Sequence, residues 1–402
     1  MPEAVIVATA RSPIGRAMKG SLVDLRPDDM AAQMVNAALA KVPEVDPTSV
    51  EDLLLGCGQP AGEAGYNIAR VVALLAGMPD VPGTTVNRYC SSSLQTIRMA
   101  AHAIKAGEGD VFVAAGVEAV SRFGSGMSDG MPGTQNLQFA AAEERTEKRA
   151  LGGAPPWTPP QGLPDVYIAM GQTAENVREL EHVSREEMDR FAALSQQRAV
   201  ASQENGFFEM EISPLTLPDG TEVSRDDGPR PGTTVERLAE LKPVFRPDGE
   251  VTAGNSCPLN DGAAAVVVMS DTRAAELGIA PLARIVSSGV TALDPEIMGL
   301  GPIEACRQAL RRAGMTIDDI DLVEINEAFA AQVVPSARHL GIEWDKLNVH
   351  GGAIALGHPF GMTGARIMAT LLNGLHAEDK TIGLESMCVG GGQGMAMIVE
   401  RL

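Results

Sequence analysis

The chain has 402 residues, 45% of them hydrophobic, long enough for two or three domains with sizeable cores. Its 32 basic residues face 52 acidic ones, a formal charge of −20, and no basic run of five or six residues occurs. That balance argues against nucleic acid and anionic membrane surfaces as partners.

No apolar stretch approaches the roughly eighteen residues that a membrane span needs. The opening run Met1-Pro2-Glu3-Ala4-Val5-Ile6-Val7 leads straight into a strand-like segment, without a charged region followed by an apolar one, so no signal peptide is expected. The cysteines at 57, 90, 257, 306 and 388 are odd in number, scattered and without metal-ligand spacing. Reduced thiols in a cytoplasmic compartment are expected, with no metal site, and Cys57 and Cys306 read as small buried hydrophobes.

In chain order, Val5-Ile6-Val7, Leu53-Leu54-Leu55, Thr85-Val86 and Val111-Phe112-Val113-Ala114 read as short buried strands with helical stretches between them. After Cys90, the residues Leu94, Ile97, Ala101 and Ile104 mark one apolar helix face. From Ser121 to about Glu250 the chain is rich in proline, glycine and charge. Here only Gly171–Val177 and Ser184–Asn205 read as helix, the second opened by Ser184 and Glu187 as a capping box. So long an irregular insertion is more often functional than idle. The run Ala263–Met269 reads as a strand that completes the first half's sheet. The layout then repeats. Leu282–Val286, Asp321–Ile325 and Leu347-Asn348-Val349 read as strands, Gly364–Leu372 as a helix, and Thr381–Leu384 and Met395–Val399 as closing strands. Two similar α/β halves, each with a mixed sheet, follow from that order, although residue identity between them is slight.

Four places carry candidate chemistry. Cys90 lies in Thr85-Val86-Asn87-Arg88-Tyr89-Cys90-Ser91-Ser92-Ser93, where a strand gives way to a helix start whose free N–H groups and dipole favour a thiolate. Taken alone, a buried cysteine in a strand–helix turn is the better reading; Arg88, Tyr89 and the triple serine make the run more specific. His358, in Gly351-Gly352-Ala353-Ile354-Ala355-Leu356-Gly357-His358-Pro359, sits in a glycine-flanked loop before a helix, with an ordinary pKa suited to exchanging a proton with a thiol. Cys388 precedes Gly390-Gly391-Gly392-Gln393-Gly394, glycines that let several N–H groups face one oxyanion. A phosphate cradle is the competing reading, weakened because no Lys-Ser/Thr or dinucleotide spacing follows. Asn326 opens Asn326-Glu327-Ala328-Phe329, where a plain strand-end cap is the alternative.

These four signals, in this order and with these neighbours, resemble the thiolase family, and the resemblance covers essentially the whole chain. Asn-Arg-x-Cys-Ser-Ser resembles its degradative, 3-ketoacyl branch in particular. The resemblance implies an α/β thiolase-like fold, with two mixed five-stranded sheets in an αβαβα layering. It places the N-terminal half at 1–120 and 251–273, a loop domain covering coenzyme A at 121–250, and the C-terminal half at 274–402. It implies Cys90 as acyl-accepting nucleophile, His358 as its base and Cys388 as a second acid and base. The amides of Cys90 and Gly390 would hold a thioester oxyanion, and Asn326 would fix a water that joins His358 in a second oxyanion hole.

Coenzyme A is implied as co-substrate, with no covalently bound cofactor. Arg230 would lie against its adenine nucleotide, Met170 would line the acyl pocket, and Ala253 and Cys257 would fall near the thioester arm. The basic residues 225, 230, 237, 242 and 246 gather here, but interleaved acids leave a solvated charged surface as the equal reading for all but Arg230.

Three positions depart from the family pattern. Cys257 stands where many members have a serine that bonds the pantetheine. Ala169 stands where acetoacetyl-specific members often place a histidine. His350 stands where asparagine is usual. The expected activity is cleavage of 3-ketoacyl-CoA by coenzyme A through an acyl-cysteine, with acyl-CoA and coenzyme A as partners. A homodimer or homotetramer is expected, alone or with other β-oxidation enzymes. The alternatives are an acetoacetyl-CoA-specific acetyltransferase, a β-ketoacyl synthase with a His or Asn in place of Cys388, and a non-catalytic acyl-CoA-binding subunit.

Overall fold

A computed structural model describes residues 2–402. The expected strands are present at Ala4–Arg11, Asp52–Gly56, Gly83–Val86, Val111–Ala119, Asn260–Ser270, Ala283–Ala292, Leu322–Ile325, Ile382–Val389 and Gln393–Arg401. In the N-terminal half Ala4–Arg11 pairs antiparallel with Asn260–Ser270, which pairs antiparallel with Val111–Ala119. Val111–Ala119 then runs parallel to Asp52–Gly56, and that strand parallel to Gly83–Val86 at the edge. In the C-terminal half Leu322–Ile325 is parallel to Ile382–Val389, followed antiparallel by Gln393–Arg401 and Ala283–Ala292.

Two details differ from the expectation. The C-terminal half has four strands, because Leu347-Asn348-Val349 contributes only an isolated parallel bridge from Leu347 to Val323. Asn348 is the reason: with φ of 48° it leaves extended geometry, and its side chain bonds the Ile325 N–H and C=O itself. The two sheets also touch, through Val5 with Arg284 and Ile6 with Ala283, so the strands form one continuous path.

Alternation along the strands builds the layers. Val5 and Val7 face an outer cluster with Met30, Val35 and Val72, whereas Ala4 and Ile6 face an inner one with Leu94, Ile97 and Met368. In the last strand Ala396 and Ile398 face the other outer cluster, while Met395, Met397 and Val399 join the inner one. The inner layer is made by helices Ser92–Ala106 and Thr363–Ala377. The stripe Leu94, Ile97, Ala101 and Ile104 is buried as the spacing predicts. These helices approach closely because Gly364 has no side chain: a Cβ there would stand 2.5 Å from the Leu94 nitrogen.

Between the Val111–Ala119 and Asn260–Ser270 strands the chain makes helices at Ala140–Ala150, Met170–Leu180, Arg185–Glu204 and Val235–Ala239. The Ser184–Glu187 capping box forms. The helix at Ala140–Ala150 was not expected; AAAEERTEKRA is built from strong helix formers but buries only Ala142, so it has propensity without an apolar stripe. Apolar side chains such as Val183, Met188, Phe191 and Leu238 join a core cluster, and buried charges add specific ties. Arg11, fully buried, donates to Glu211 at 2.7 Å and Asp226 at 2.6 Å. Arg246 is likewise buried, bonding Gln172, Asn176 and Glu179, and so leaves the basic group that surrounds Arg230.

Glu324 and Glu385 are register partners on adjacent parallel strands, both buried, with Arg366 nearby. Burial pushes Glu324 up to about 8 and Glu385 well above the usual carboxylate range. A carboxyl raised in the folded state stabilises below its unfolded pKa and loses that contribution as pH rises through the folded value. Glu385→Gln, which does not titrate, therefore gains over the parent at high pH. The expected gain in Tm is on the order of 2 °C at pH 8.5 and close to nothing at pH 5, read by thermal melts. An equal difference at both pH values would show that Glu385 is neutral throughout.

Candidate active site

Of the sequence-predicted residues, Cys90, Cys257 and Cys388 lie together and Asn326 meets His358, with Phe360 bordering both the Cys90 cluster and the His358 ring. Cys90 lies in a tight turn, Tyr89–Ser91, immediately before the Ser92–Ala106 helix. Tyr89 is held at φ of 42°, which directs Cys90 away from the strand it follows. The N–H groups of Gly390 and of Cys90 itself reach the sulfur and favour the thiolate, but burial dominates and pushes the thiol up to about 11. This corrects the expectation of a lowered pKa: desolvation outweighs the helix start. The resting group is a thiol.

His358 is 2% exposed, and burial followed by the charge of Arg366 lowers it to about 3, well below its ordinary value. Its tautomer follows from its neighbours. The Thr363 hydroxyl donates to the Pro359 carbonyl at 2.8 Å, so its oxygen receives the Nδ1–H of His358 at 2.6 Å. Nε2 then carries no hydrogen and accepts from the Asn326 side-chain Nδ2 at 3.3 Å. The Asn326 Oδ1 is buried without a protein partner. The site thus holds a neutral thiol and a neutral imidazole whose free nitrogen is an acceptor.

Cys388 is fully buried near the end of strand Ile382–Val389, opposite Gly394. Its thiol is raised by burial first, then by the neighbouring thiols Cys90 and Cys257. Gly391 and Gly392 have φ of 77° and 78°, and a Cβ on Gly392 would strike the Leu293 carbonyl at 2.3 Å. The glycine run therefore turns its amides along one side, bringing Gly390 to Cys90. Cys257, whose N–H bonds the Ala328 carbonyl at 3.0 Å, is pushed up to about 12 by burial, then by the charge of Cys90.

Arg230 and Ala253 line a separate groove of about 140 Å³ with Arg16, Gln196, Gly228 and Pro258. Arg16 is the one member with a charge that the sequence reading missed, because 214 positions separate it from Arg230. Met170 packs at the edge of the cluster holding Phe329 and Cys388. His350 lies elsewhere, stacked on Phe207 at 3.4 Å with Nδ1 3.1 Å from the Ser202 hydroxyl. Glu327 was also missed: fully buried, it accepts from Ser195 at 2.6 Å, Asn348 at 2.8 Å and the Ile354 N–H at 3.0 Å, fixing the loop ahead of His358. Among the described residues no group of three or more His, Cys, Asp or Glu could hold a metal ion, and no helix is long and apolar enough to cross a membrane.

Residues 4–272 match the family description "Thiolase, N-terminal domain", and residues 279–401 match "Thiolase, C-terminal domain". The chain belongs to the thiolase family. It is 43% identical over 415 residues to the beta-ketoadipyl-CoA thiolase of Acinetobacter baylyi and 43% identical over 411 residues to the 3-ketoacyl-CoA thiolase of Aeromonas hydrophila, covering 100% of each pair. The Bacillus anthracis acetyl-CoA acetyltransferase structure superposes with a TM-score of 0.86 at 39% identity, covering 100% of this chain and 99% of that one. The protein is therefore an enzyme, an acyltransferase of the thiolase type.

Proposed function

We propose that this thiolase is a 3-ketoacyl-CoA thiolase of broad chain length, cleaving its substrate with coenzyme A through an acyl-Cys90 intermediate. The observation that carries the reading is a buried Cys90 thiol with a second thiol, Cys388, close to it, and a buried His358 whose Nε2 carries no hydrogen, Phe360 bordering both the Cys90 cluster and the His358 ring. Nε2 takes the Cys90 proton, and the sulfur adds to the C3 ketone. The C2–C3 bond breaks, leaving its electron pair on the acetyl-CoA enolate, and Cys388 protonates C2. Cys388, now a thiolate, takes the proton of an incoming coenzyme A thiol, whose sulfur displaces the acyl group from Cys90, and His358 Nε2 returns its proton to the departing Cys90 thiolate.

The Cys90 and Gly390 amides serve as one oxyanion hole. Asn326 Oδ1, without a protein partner, is placed to hold a water that joins His358 in the other. Arg230, Arg16 and Ala253 line a groove suited to the nucleotide phosphates, and Cys257, near Cys90, would serve the thioester end. In this reading residues 121–250 form the cover over coenzyme A, and the enzyme works in the cytoplasm as a homodimer or homotetramer.

Ala169 leaves the start of helix Met170–Leu180 without a restricting histidine. We expect kcat/KM to rise from four-carbon to medium-chain 3-ketoacyl-CoA, by up to about fourfold per methylene at about 0.8 kcal/mol each. A steep preference for acetoacetyl-CoA would favour the acetyltransferase reading.

A further inference from the structure

Glu118 is the only charged side chain in the strand Val111–Ala119, and it is 1% exposed. Among the described residues it makes no ion pair; backbone amides and one thiol take its place. Oε2 accepts the N–H of Gly58 at 2.8 Å and of Gly361 at 2.9 Å, and Oε1 accepts the N–H of Gln59 at 3.1 Å and the Cys57 thiol at 3.7 Å. Burying a carboxyl in a strand end is costly, and three convergent N–H donors are what makes it tolerable.

The two peptide segments that Glu118 joins come from different halves. Gly58 and Gln59 follow strand Asp52–Gly56, whereas Gly361 is three residues beyond His358. The His358 loop has no slack where Glu118 meets it. A Cβ on Gly361 would lie 2.2 Å from the Val117 carbonyl oxygen and 2.7 Å from that of Gly56, and one on Gly116 would lie 2.0 Å from the Gly361 oxygen. At its other end Asn260 receives the His358 N–H at 3.1 Å and occupies the space beside Gly357. The loop is therefore pinned at 358 by Asn260 and at 361 by Glu118, and its imidazole is turned by Thr363 two residues further on.

We propose that Glu118 is a positioning residue: by fixing the Gly361 backbone it sets the direction in which His358 presents Nε2 to Cys90. This rests on the reading of His358 as the base. It acts through length and aim, so a neutral side chain of equal reach should serve and a shorter anion should not. Glutamine can place its carbonyl oxygen where Oε2 takes the Gly58 and Gly361 amides, giving up the Gln59 N–H that Oε1 accepts but keeping the hold on Gly361. Aspartate keeps the charge but stops one methylene short, about 1.5 Å.

The test is steady-state thiolysis of acetoacetyl-CoA by the parent, Glu118→Gln and Glu118→Asp, with a thermal melt of each. We expect Glu118→Asp to lose roughly 100-fold in kcat with KM for both substrates within about threefold, as a displacement of an ångström can cost. We expect Glu118→Gln to keep at least about a third of kcat. Retention of kcat by Glu118→Asp, a loss expressed in KM, or equal losses in both variants would overturn the proposal. Should Glu118→Asp not fold, Glu118→Gln decides with amide hydrogen exchange over residues 357–363. Protection and kcat kept together support the proposal, and kcat below about one-hundredth with protection unchanged overturns it. A parent without thiolysis would instead remove the assignment of Cys90 and His358 on which the inference rests.

Discussion

Cys90→Ala yields a folded protein that still binds acyl-CoA but transfers acyl groups at least about 10⁴-fold more slowly, the scale of losing a covalent nucleophile. No other thiol can take its place. Cys388 is fully buried and strongly raised, and Cys257 is pushed up to about 12. Cys306 is likewise at about 12 and lies in an outer apolar cluster. Cys90, at about 11, is the least raised of the three with a stated value, and Gly390 already reaches its sulfur. The check is thiolysis of acetoacetyl-CoA together with intact mass after exposure to acetyl-CoA, which should add one acetyl group to the parent and none to the variant. Iodoacetamide with peptide mapping should label Cys90 first in the parent. Dominant labelling of Cys57 or Cys306, or an acetyl group still gained by the variant, would move the nucleophile elsewhere.

The residues that bear chemistry were legible in the sequence because each stands in a run with local punctuation: the three serines after Cys90, the glycines around His358 and after Cys388. The strands were legible for the same reason, as short apolar runs bounded by turns. The electrostatics were not. A helix start beside Cys90 suggests a lowered pKa, and only the packing of Ile367, Met387 and Val389 around it shows that desolvation prevails.

The supporting groups were hidden by distance along the chain. Glu118 bonds an amide 243 positions away, and Ser195 bonds Glu327 across 132. A carboxylate that serves backbone N–H groups leaves no pattern of partner side chains for a reader to find. Leu347-Asn348-Val349 misled in the opposite way. Its composition is that of a strand, but Asn348 uses its carboxamide as a surrogate backbone, and a single bridge is what remains.

Cys388→Ala should fail differently from Cys90→Ala, because the two thiols serve different half-steps. Cys90 has the unprotonated Nε2 of His358 to take its proton, so the variant should still gain an acetyl group from acetyl-CoA, if more slowly. Protonating carbon is another matter. The enolate needs an acid beside C2, and the neighbouring groups are spoken for or inert: the His358 Nδ1–H is committed to Thr363, Cys257 is raised to about 12, and the nearby glycines offer only amides. His350 is stacked on Phe207 and bonded to Ser202, away from the site, so it cannot substitute. Exchange of the acetyl methyl protons of acetyl-CoA with deuterated water should therefore fall by roughly 10²–10⁴-fold in Cys388→Ala, the usual contribution of a positioned acid or base. Mass spectrometry reads both quantities in one sample, deuterium in the acetyl group and acetyl on the enzyme. Undiminished exchange would make Cys388 a bystander. Loss of acylation along with exchange would instead mean that the second thiol is needed to shape the pocket around the first, since Cys90 packs directly against the Met387 and Val389 side chains that flank Cys388.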